Sequence, residues 1–155
     1  MNWLIDLNTE NDYVVSTLNS WIHDLVLDYG IDGIRIDTVK HIRKDFWPGF
    51  NTAAGVYSVG EVANGDAGYT CPYQDYLDGV LNYPFYYSLT KTFGTRDAGS
   101  MKDLSNQIEY IKSLCKDTTL LPPFLENHDQ PRVRCSILLV AVLFIRSSLR
   151  LSLRI

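Results

Sequence analysis

The chain has 155 residues with 14 basic and 18 acidic side chains, and its formal net charge is -4. This charge gives no electrostatic reason to expect nucleic acid or an anionic membrane surface as a partner, whereas a neutral partner fits it equally well. Because 46% of the residues are hydrophobic, the chain can form the core of one domain of ordinary size.

The first predicted element is an amphipathic helix that ends at Gly30. Thr9 and Asp12 have the spacing of a capping box at its start. Its apolar residues recur at the intervals of one helix face, and they are Val14, Val15, Leu18, Trp21, Ile22, Leu25 and Val26. We therefore expect one buried face and one solvated face.

Four predicted strands follow, at residues 31–37, 56–61, 79–83 and 118–125. The first two are separated by a short helical stretch broken at Pro48, and a helix capped by Ser100 and Asp103 precedes the last. Strands separated by helices indicate a parallel sheet with right-handed crossovers, which is an α/β fold. Pro122 and Pro123 lie inside the last predicted strand, where proline cannot donate to the ladder.

Charged side chains stand where the first two predicted strands end. Arg35 and Asp37 are two residues apart, so they point to the same face, and the guanidinium favours the carboxylate form of Asp37. Glu61 ends the next strand in the same way. The carboxyl ends of parallel strands meet at one rim, where α/β sheets and barrels carry their chemistry. Taken alone, the Arg35–Asp37 pair is equally compatible with a structural tie between strand and loop.

Three motifs extend this pattern. They are DGIRIDTVKH at 32–41, VGEVANGD at 59–66 and FLENHDQPR at 124–132. In order and spacing they resemble the fourth-, fifth- and seventh-strand motifs of the α-amylase superfamily of retaining glycoside hydrolases, and the fungal α-amylases in particular. The resemblance implies a partial (β/α)8 TIM barrel, about strands four to seven, in residues 1–132. A complete barrel needs about 250 residues, so roughly half of one is expected.

The resemblance implies a role for each residue of the predicted rim. Asp37 is expected to be the nucleophile, Glu61 the general acid and then base, and Asp129 a third carboxylate that grips sugar hydroxyls. The residues expected to contact the substrate are Arg35, Lys40, His41 and His128. The implied reaction is hydrolysis of internal α-1,4-glucosidic bonds in an α-glucan, starch or glycogen, with retention of configuration.

The resemblance also implies a structural calcium ion, a disulfide and an extracellular location. Asp6 and the backbone carbonyl of His41 are expected among the calcium ligands, and Cys71 is expected to pair with Cys115. Cys135 is then left over. By residue type alone, Cys71 and Cys115 are equally compatible with two reduced, buried thiols. No signal peptide opens the chain, which on the resemblance starts inside the catalytic domain.

Residues 133–155 differ in kind from the rest of the chain. They contain an apolar run at 137–145 and four arginines, and they contain no acidic residue. The run is too short for a membrane span, which needs about 20 residues. We expect an unrelated apolar and arginine-rich tail here, and a frame change or an unspliced intron explains it best.

There are three alternatives to an intact α-amylase, of which the second is disfavoured. A transglycosylating relative uses the same carboxylates. A divalent-metal hydrolase also places Asp, His and Glu at strand ends, but the sequence lacks the closely spaced ligand pairs that two ions need. The third alternative is a truncated, non-catalytic fragment, or a half-barrel that only binds glucan or a partner chain. With only about half of a barrel, the chain is expected to be inactive alone.

Overall fold

A computed structural model describes residues 7–94, 99–130 and 132, so Asp6, Cys135 and the predicted tail lie outside the described residues. The helices are α1 (Asp12–Tyr29), α2 (Trp47–Ala54), α3 (Ala67–Thr70), α4 (Tyr83–Gly94) and α5 (Met101–Leu114). The strands are β1 (Gly33–Ile36), β2 (Tyr57–Gly60) and β3 (Gly79–Val80). Short 3₁₀ segments lie at Val39–His41, Lys44–Phe46, Cys71–Asp75 and Thr118–Leu120. In these ranges, no helix is both long enough and apolar enough to cross a membrane.

The three strands form one parallel sheet in the order β1-β2-β3. Ile36 pairs with Gly60, and Gly60 pairs in turn with Val80, so the carboxyl ends of all three strands lie at one edge. Helical segments connect each strand to the next, as parallel pairing requires. The predicted α/β fold with a parallel sheet is therefore confirmed, with strands shorter than the predicted ranges 31–37, 56–61 and 79–83.

The fourth predicted strand, 118–125, is wrong. Thr118–Leu120 forms a 3₁₀ segment, and no strand follows it among the described residues. The Pro122 carbonyl accepts one backbone hydrogen bond from the Asn82 amide at 3.2 Å, which keeps this segment beside the end of β3. Because proline has no amide hydrogen, Pro122 and Pro123 cannot continue the ladder that a strand needs.

The starts of α1 and α2 differ from the prediction. Asn11, not Thr9, caps α1, because its side-chain oxygen accepts the Tyr13 amide hydrogen at 2.9 Å. Asp12 is already the first helical residue, so the predicted capping box does not form. Pro48 does not break α2; it lies in the first turn, where the amide hydrogen that proline lacks has no helical partner.

α5 begins as the sequence predicts, and a disulfide follows its end. Ser100 and Asp103 form the reciprocal side-chain and backbone hydrogen bonds of a capping box. The hydrogen bonds from Ser100 lower the pKa of Asp103. Immediately after α5, Cys115 is bonded to Cys71, which confirms the predicted pairing. The bridge ties α5 to the segment that follows α3.

The hydrophobic core anchors the edge of the sheet where the carboxylates stand. Val39 and Val62 have no exposed surface, and they follow Asp37 and Glu61 closely in the chain. The backbone just after each carboxylate residue is thus held by packing. Other members of the same core are Ile22, Val26, Phe46, Trp47, Phe50, Tyr73, Leu77, Val80, Ile111 and Leu121.

Candidate active site

Two carboxylates, Asp37 and Glu61, follow β1 and β2 at the carboxyl edge of the sheet. The Glu61 amide donates to the Ile36 carbonyl at 2.8 Å, and the Val39 amide donates to the Glu61 carbonyl at 3.1 Å. These hydrogen bonds extend the contact between the two strands beyond their last paired residues. They fix the relative positions of the residues that carry the carboxylates.

Arg35 lies between the two carboxylates. Its Nη1 atom is 2.5 Å from Asp37 Oδ1, and its Nη2 atom is 3.7 Å from Glu61 Oε2. One guanidinium therefore contacts both acids, and the contact with Asp37 agrees with the two-residue spacing on one strand. The structure thus brings Arg35, Asp37 and Glu61 together in one cluster.

The two carboxylates have different surroundings. The Asp37 side chain is 65% exposed, whereas the Glu61 side chain is only 10% exposed. An exposed carboxylate is open to a ligand that arrives from solvent, whereas an enclosed carboxylate takes its hydrogen bonds from the protein groups around it. Such a difference suits two acids with different tasks, one that attacks and one that exchanges a proton.

Both oxygens of Glu61 accept hydrogen bonds from protein donors. The Thr38 amide donates to Oε2 at 3.0 Å, and the Tyr83 hydroxyl donates to Oε1 at 2.9 Å. Thr38 has a φ of 49°, a left-handed conformation that a β-branched residue rarely adopts. Strained backbone persists where its surroundings determine it, and the hydrogen bond to Glu61 is part of those surroundings.

Tyr83 connects Glu61 to the last part of the described chain. Its hydroxyl oxygen accepts a hydrogen bond from Asn127 Nδ2 at 3.0 Å. Burial raises the pKa of Tyr83 to about 12, and the hydrogen bond to Glu61 and the charge of that carboxylate act in the same direction. The phenol therefore keeps its proton at neutral pH and remains a hydrogen-bond donor.

Lys40 and His41, both predicted to contact substrate, lie in the 3₁₀ segment after Asp37. The Lys40 ammonium donates to the Ala63 carbonyl at 2.9 Å, which ties this segment to the loop after Glu61. The His41 side chain is exposed. Lys40 therefore has a structural contact of its own in addition to the role predicted for it.

His128 and Asp129 contact each other, with 3.3 Å between His128 Nε2 and Asp129 Oδ2, and both side chains are largely exposed. The Asp129 amide donates to Asn127 Oδ1 at 3.0 Å. Since Asn127 also donates to Tyr83, the turn that carries the third predicted carboxylate is linked to Glu61 through two side chains.

Thr38, Tyr83 and Asn127 take part in this cluster but are absent from the residues predicted for it. Tyr83 ends the predicted strand 79–83 as Glu61 ends its own, so the rule that places Glu61 at the rim also indicates Tyr83. Asn127 lies inside the third motif, but its amide has no titratable group. Thr38 lies inside the first motif, but it contributes a backbone amide, which residue type does not reveal.

The described residues do not form a calcium site on their own. Among them, no group of three or more His, Cys, Asp and Glu side chains could hold a metal ion. The predicted ligand Asp6 lies outside the described residues, which leaves the His41 carbonyl as the one predicted ligand among them. Ca²⁺ takes six to eight oxygens, so one carbonyl alone does not make a calcium site.

The fold and the cluster define a class of protein, an α/β enzyme whose acids stand at the carboxyl edge of a parallel sheet. The family model described as "Alpha amylase, catalytic domain" matches residues 1–143. The chain therefore belongs to the α-amylase catalytic-domain family, which confirms the predicted resemblance and makes it a hydrolase-family member by homology.

Similar proteins include α-amylases of several fungi. The chain is 56% identical over 129 residues to alpha-amylase 1 of Lipomyces kononenkoae, covering 83% of this chain and 20% of that protein. It is 53% identical to an alpha-amylase of Saccharomycopsis fibuligera, covering 83% and 26% of the two chains. An α-amylase structure from Malbranchea cinnamomea superposes with a TM-score of 0.81 at 50% identity, covering 84% of this chain and 28% of that one.

The chain thus spans about a quarter of the length of these relatives. Their likeness confirms the predicted class of fold, a part of an α-amylase TIM barrel with a small parallel sheet.

Proposed function

We propose that residues 1–132 are part of the catalytic barrel of an α-amylase that hydrolyses internal α-1,4-glucosidic bonds in starch or glycogen with retention of configuration. The observation that carries the proposal is the pair of acids, Asp37 and Glu61, on neighbouring strand ends with Arg35 in contact with both. Retaining glycosidases need two carboxyl groups about 5 to 5.5 Å apart. Membership of the α-amylase family supports an amylolytic reaction.

Asp37 acts as the nucleophile in this proposal. Its carboxylate attacks the anomeric carbon while Glu61 donates a proton to the departing glycosidic oxygen, so that a glycosyl-enzyme forms. Glu61 then takes a proton from the water that releases the sugar. The exposure of Asp37 supports the first role, and the fixed position of Glu61 between Thr38 and Tyr83 supports the second.

The remaining site residues act on the α-glucan substrate. Asp129 grips sugar hydroxyls, and its contact with His128 supports a joint role for the two side chains. Lys40 and His41 line the sugar positions beyond the cleaved bond. Arg35 contacts the substrate at the same rim, and it keeps the Asp37 carboxylate paired with a positive charge.

Within the barrel, β1, β2 and β3 correspond in this proposal to strands four, five and six, and the segment at 121–125 takes the place of strand seven. The hydrogen bond between the Asn82 amide and the Pro122 carbonyl supports that place for the segment. Residues 133–155 are proposed as an apolar, arginine-rich tail, of which residues 133–143 still fall within the family match.

Calcium is proposed as a structural ion, held in part by Asp6 and the His41 carbonyl, with further oxygens supplied by the rest of the barrel. The ion would tie the loop after β1 to a distant part of the chain. Isothermal titration calorimetry should show no micromolar calcium binding by the 155-residue chain. Micromolar binding by this chain would contradict the expectation that the rest of the barrel supplies most of the calcium ligands.

An extracellular location is proposed for the protein. The disulfide between Cys71 and Cys115 supports it, because such bridges form and persist in oxidising compartments.

The roles of the two acids can be tested in a chimaera in which residues 1–132 replace the matching segment of the Lipomyces kononenkoae relative. We call this protein the completed barrel. In it, Asp37→Asn and Glu61→Gln should each lower starch hydrolysis by at least about 10³-fold. NMR of the first product formed should show the α-anomer.

Glu109→Gln provides a matched control, since Glu109 is an exposed acid on α5 that pairs with Lys112. It should leave the rate unchanged. More than a few per cent of activity in either acid variant, or an initial β-anomer, would overturn the assignment.

A further inference from the structure

Tyr83 is placed where it can control Glu61 without touching a ligand. The residue is 1% exposed, and its hydroxyl donates to Glu61 Oε1 at 2.9 Å. A side chain with so little exposed surface has no contact area to offer a substrate. Any effect of Tyr83 on a reaction at this rim must therefore pass through the groups it touches.

Asn127 sets the direction of the hydrogen bond between Tyr83 and Glu61. A phenol carries one hydrogen, and its oxygen also accepts hydrogen bonds. Asn127 Nδ2 donates to the Tyr83 oxygen at 3.0 Å, which leaves the phenol hydrogen for Glu61. Because the other amide atom, Asn127 Oδ1, accepts the Asp129 amide hydrogen, the orientation of the Asn127 amide is fixed from two sides.

The ring of Tyr83 is also fixed by its neighbours. It packs edge-on against Phe124, with 4.9 Å between ring centroids, and edge-on against Tyr86 at 6.0 Å. Phe124 lies shortly before Asn127 in the chain, so the same segment supplies both the packing and the hydrogen-bond donor. The phenol thus has little freedom to turn away from Glu61.

We propose that Tyr83 is a positioning residue for Glu61 and that Asn127 orients its hydroxyl. Together with the Thr38 amide on the other oxygen, Tyr83 holds the carboxyl group at both oxygens. This role, which rests on the proposed function of Glu61 as the proton donor and acceptor, keeps that group aligned with the glycosidic oxygen. Displacements of about 1 Å at such a position cost about a hundredfold in rate.

Tyr83→Phe in the completed barrel tests the role, because Phe keeps the ring packing and removes the hydroxyl. The kcat for starch should fall by about ten- to a hundredfold, the range expected from losing one hydrogen bond to a charged group. KM should stay within about twofold, because Tyr83 cannot reach substrate. A merely structural role would leave kcat unchanged in the folded variant.

A second readout does not depend on activity. The Thr38 amide is bonded to Glu61 Oε2, so its ¹⁵N shift in threonine-labelled protein reports the position of that carboxyl group. Tyr83→Phe removes the donor to the other oxygen, so the carboxyl group is released on one side and the Thr38 ¹⁵N shift should change. An unchanged Thr38 shift would overturn the proposal even if the parent protein does not hydrolyse starch. An inactive parent would instead overturn the proposed function.

Tyr86→Phe is the matched control. It makes the same substitution one turn along α4, where the hydroxyl approaches Gln130 Oε1 at 3.5 Å and not Glu61. It should change neither kcat nor the Thr38 ¹⁵N shift, and equal effects from the two variants would overturn the proposal.

A double-mutant cycle tests the part played by Asn127. The loss of kcat in the double variant, Asn127→Ala with Tyr83→Phe, is expressed as an activation free energy. It should be smaller than the sum of the losses in the two single variants, because both changes act on one hydrogen bond to Glu61. Strict additivity would show that Asn127 does not act through Tyr83.

Discussion

At the scale of single residues, Asp37 and Glu61 show how neighbouring strand ends give two acids different surroundings. Both side chains contact Arg35, yet one faces solvent and the other lies under Tyr83 and beside the Thr38 amide. The difference does not come from the strands. It comes from what covers each strand end, which in the case of Glu61 is Tyr83 of α4 and the Thr38 amide.

The pKa of Tyr83 should respond to Glu61. In Glu61→Gln the pKa of Tyr83 should fall below about 12, because the negative charge that disfavours the phenolate is removed. It should remain above the ordinary value of 10, because burial is the largest cause of the shift and persists. Titration of ¹³Cζ-labelled tyrosine by NMR measures the change.

Tyr86 serves as the internal reference in this titration. Its pKa is raised by burial and by Tyr87, without a contribution from Glu61, and it should not move. A Tyr83 pKa that stays at about 12, or an equal fall in both tyrosines, would contradict the hydrogen bond.

The sequence predicts some residue contacts and not others for a physical reason. The contact between Arg35 and Asp37 follows from the period of a strand, because two residues apart means the same face. The contacts of Glu61 with Tyr83 and of Tyr83 with Asn127 join residues 22 and 44 positions apart. Periodicity is a local property, so it places each of these residues at the rim without showing which ones meet.

At the scale of elements, the sequence predicts the location of the segment after α5 correctly but predicts its secondary structure wrongly. The residues at 118–125 lie beside β3, as predicted, but form no strand. The apolar pattern determines the burial of Leu121, and the two prolines that follow remove the donors of a ladder. The start of α1 also differs from the prediction. Asn11 and Thr9 are both suitable capping residues by type, and only the folded structure shows that Asn11 is the cap.

The close approach of this segment to β3 makes Gly79 hard to replace. A methyl group on Gly79 would collide with the Leu120 carbonyl oxygen and the Tyr57 hydroxyl. Gly79→Ala in the completed barrel should therefore lower the free energy of unfolding by about 1 to 3 kcal/mol. Urea denaturation followed by circular dichroism provides the measurement.

Gly49→Ala is the matched substitution. A methyl group there meets Asn19 Nδ2 at an ordinary 3.5 Å, and the residue lies in α2. Alanine is the better helix former by roughly 0.5 to 1 kcal/mol, so this variant should be as stable as the parent or more stable. A Gly79→Ala variant of parental stability would show that β3 and the 118–123 segment are not in tight contact.

At the scale of the whole molecule, the disulfide joins parts of the chain that the sheet does not connect. Cys71 and Cys115 are 44 positions apart, so the bridge closes a long loop. Loop-closure entropy suggests that its reduction costs about 4 kcal/mol. Urea denaturation of the completed barrel with and without reductant should show this loss.

Peptide mapping under non-reducing conditions checks which cysteines are paired. The principal bridge should contain Cys71 and Cys115, and Cys135 of the 155-residue chain should be recovered as a free thiol. A principal bridge through Cys135 would contradict the pairing.

The 155-residue chain alone should not hydrolyse starch. Among the described residues β1 pairs only with β2, so its other edge offers free backbone groups to further chains. Nothing in the described sheet closes a rim around Asp37 and Glu61. We expect aggregation in light scattering and no release of reducing sugar. Calcium-dependent hydrolysis by a monomer of this chain, lost in Asp37→Asn, would prove this expectation wrong.

The Glu61–Tyr83–Asn127 chain of hydrogen bonds has a consequence for recombination between related genes. Its three members are encoded far apart, so a crossover between the codons for residues 61 and 127 can pair a carboxylate from one parent with supports from another. A shuffled library that inherits codons 61 to 127 as one block keeps the three side chains together. Libraries with free crossovers inside that block should therefore yield fewer active clones at equal sequence divergence.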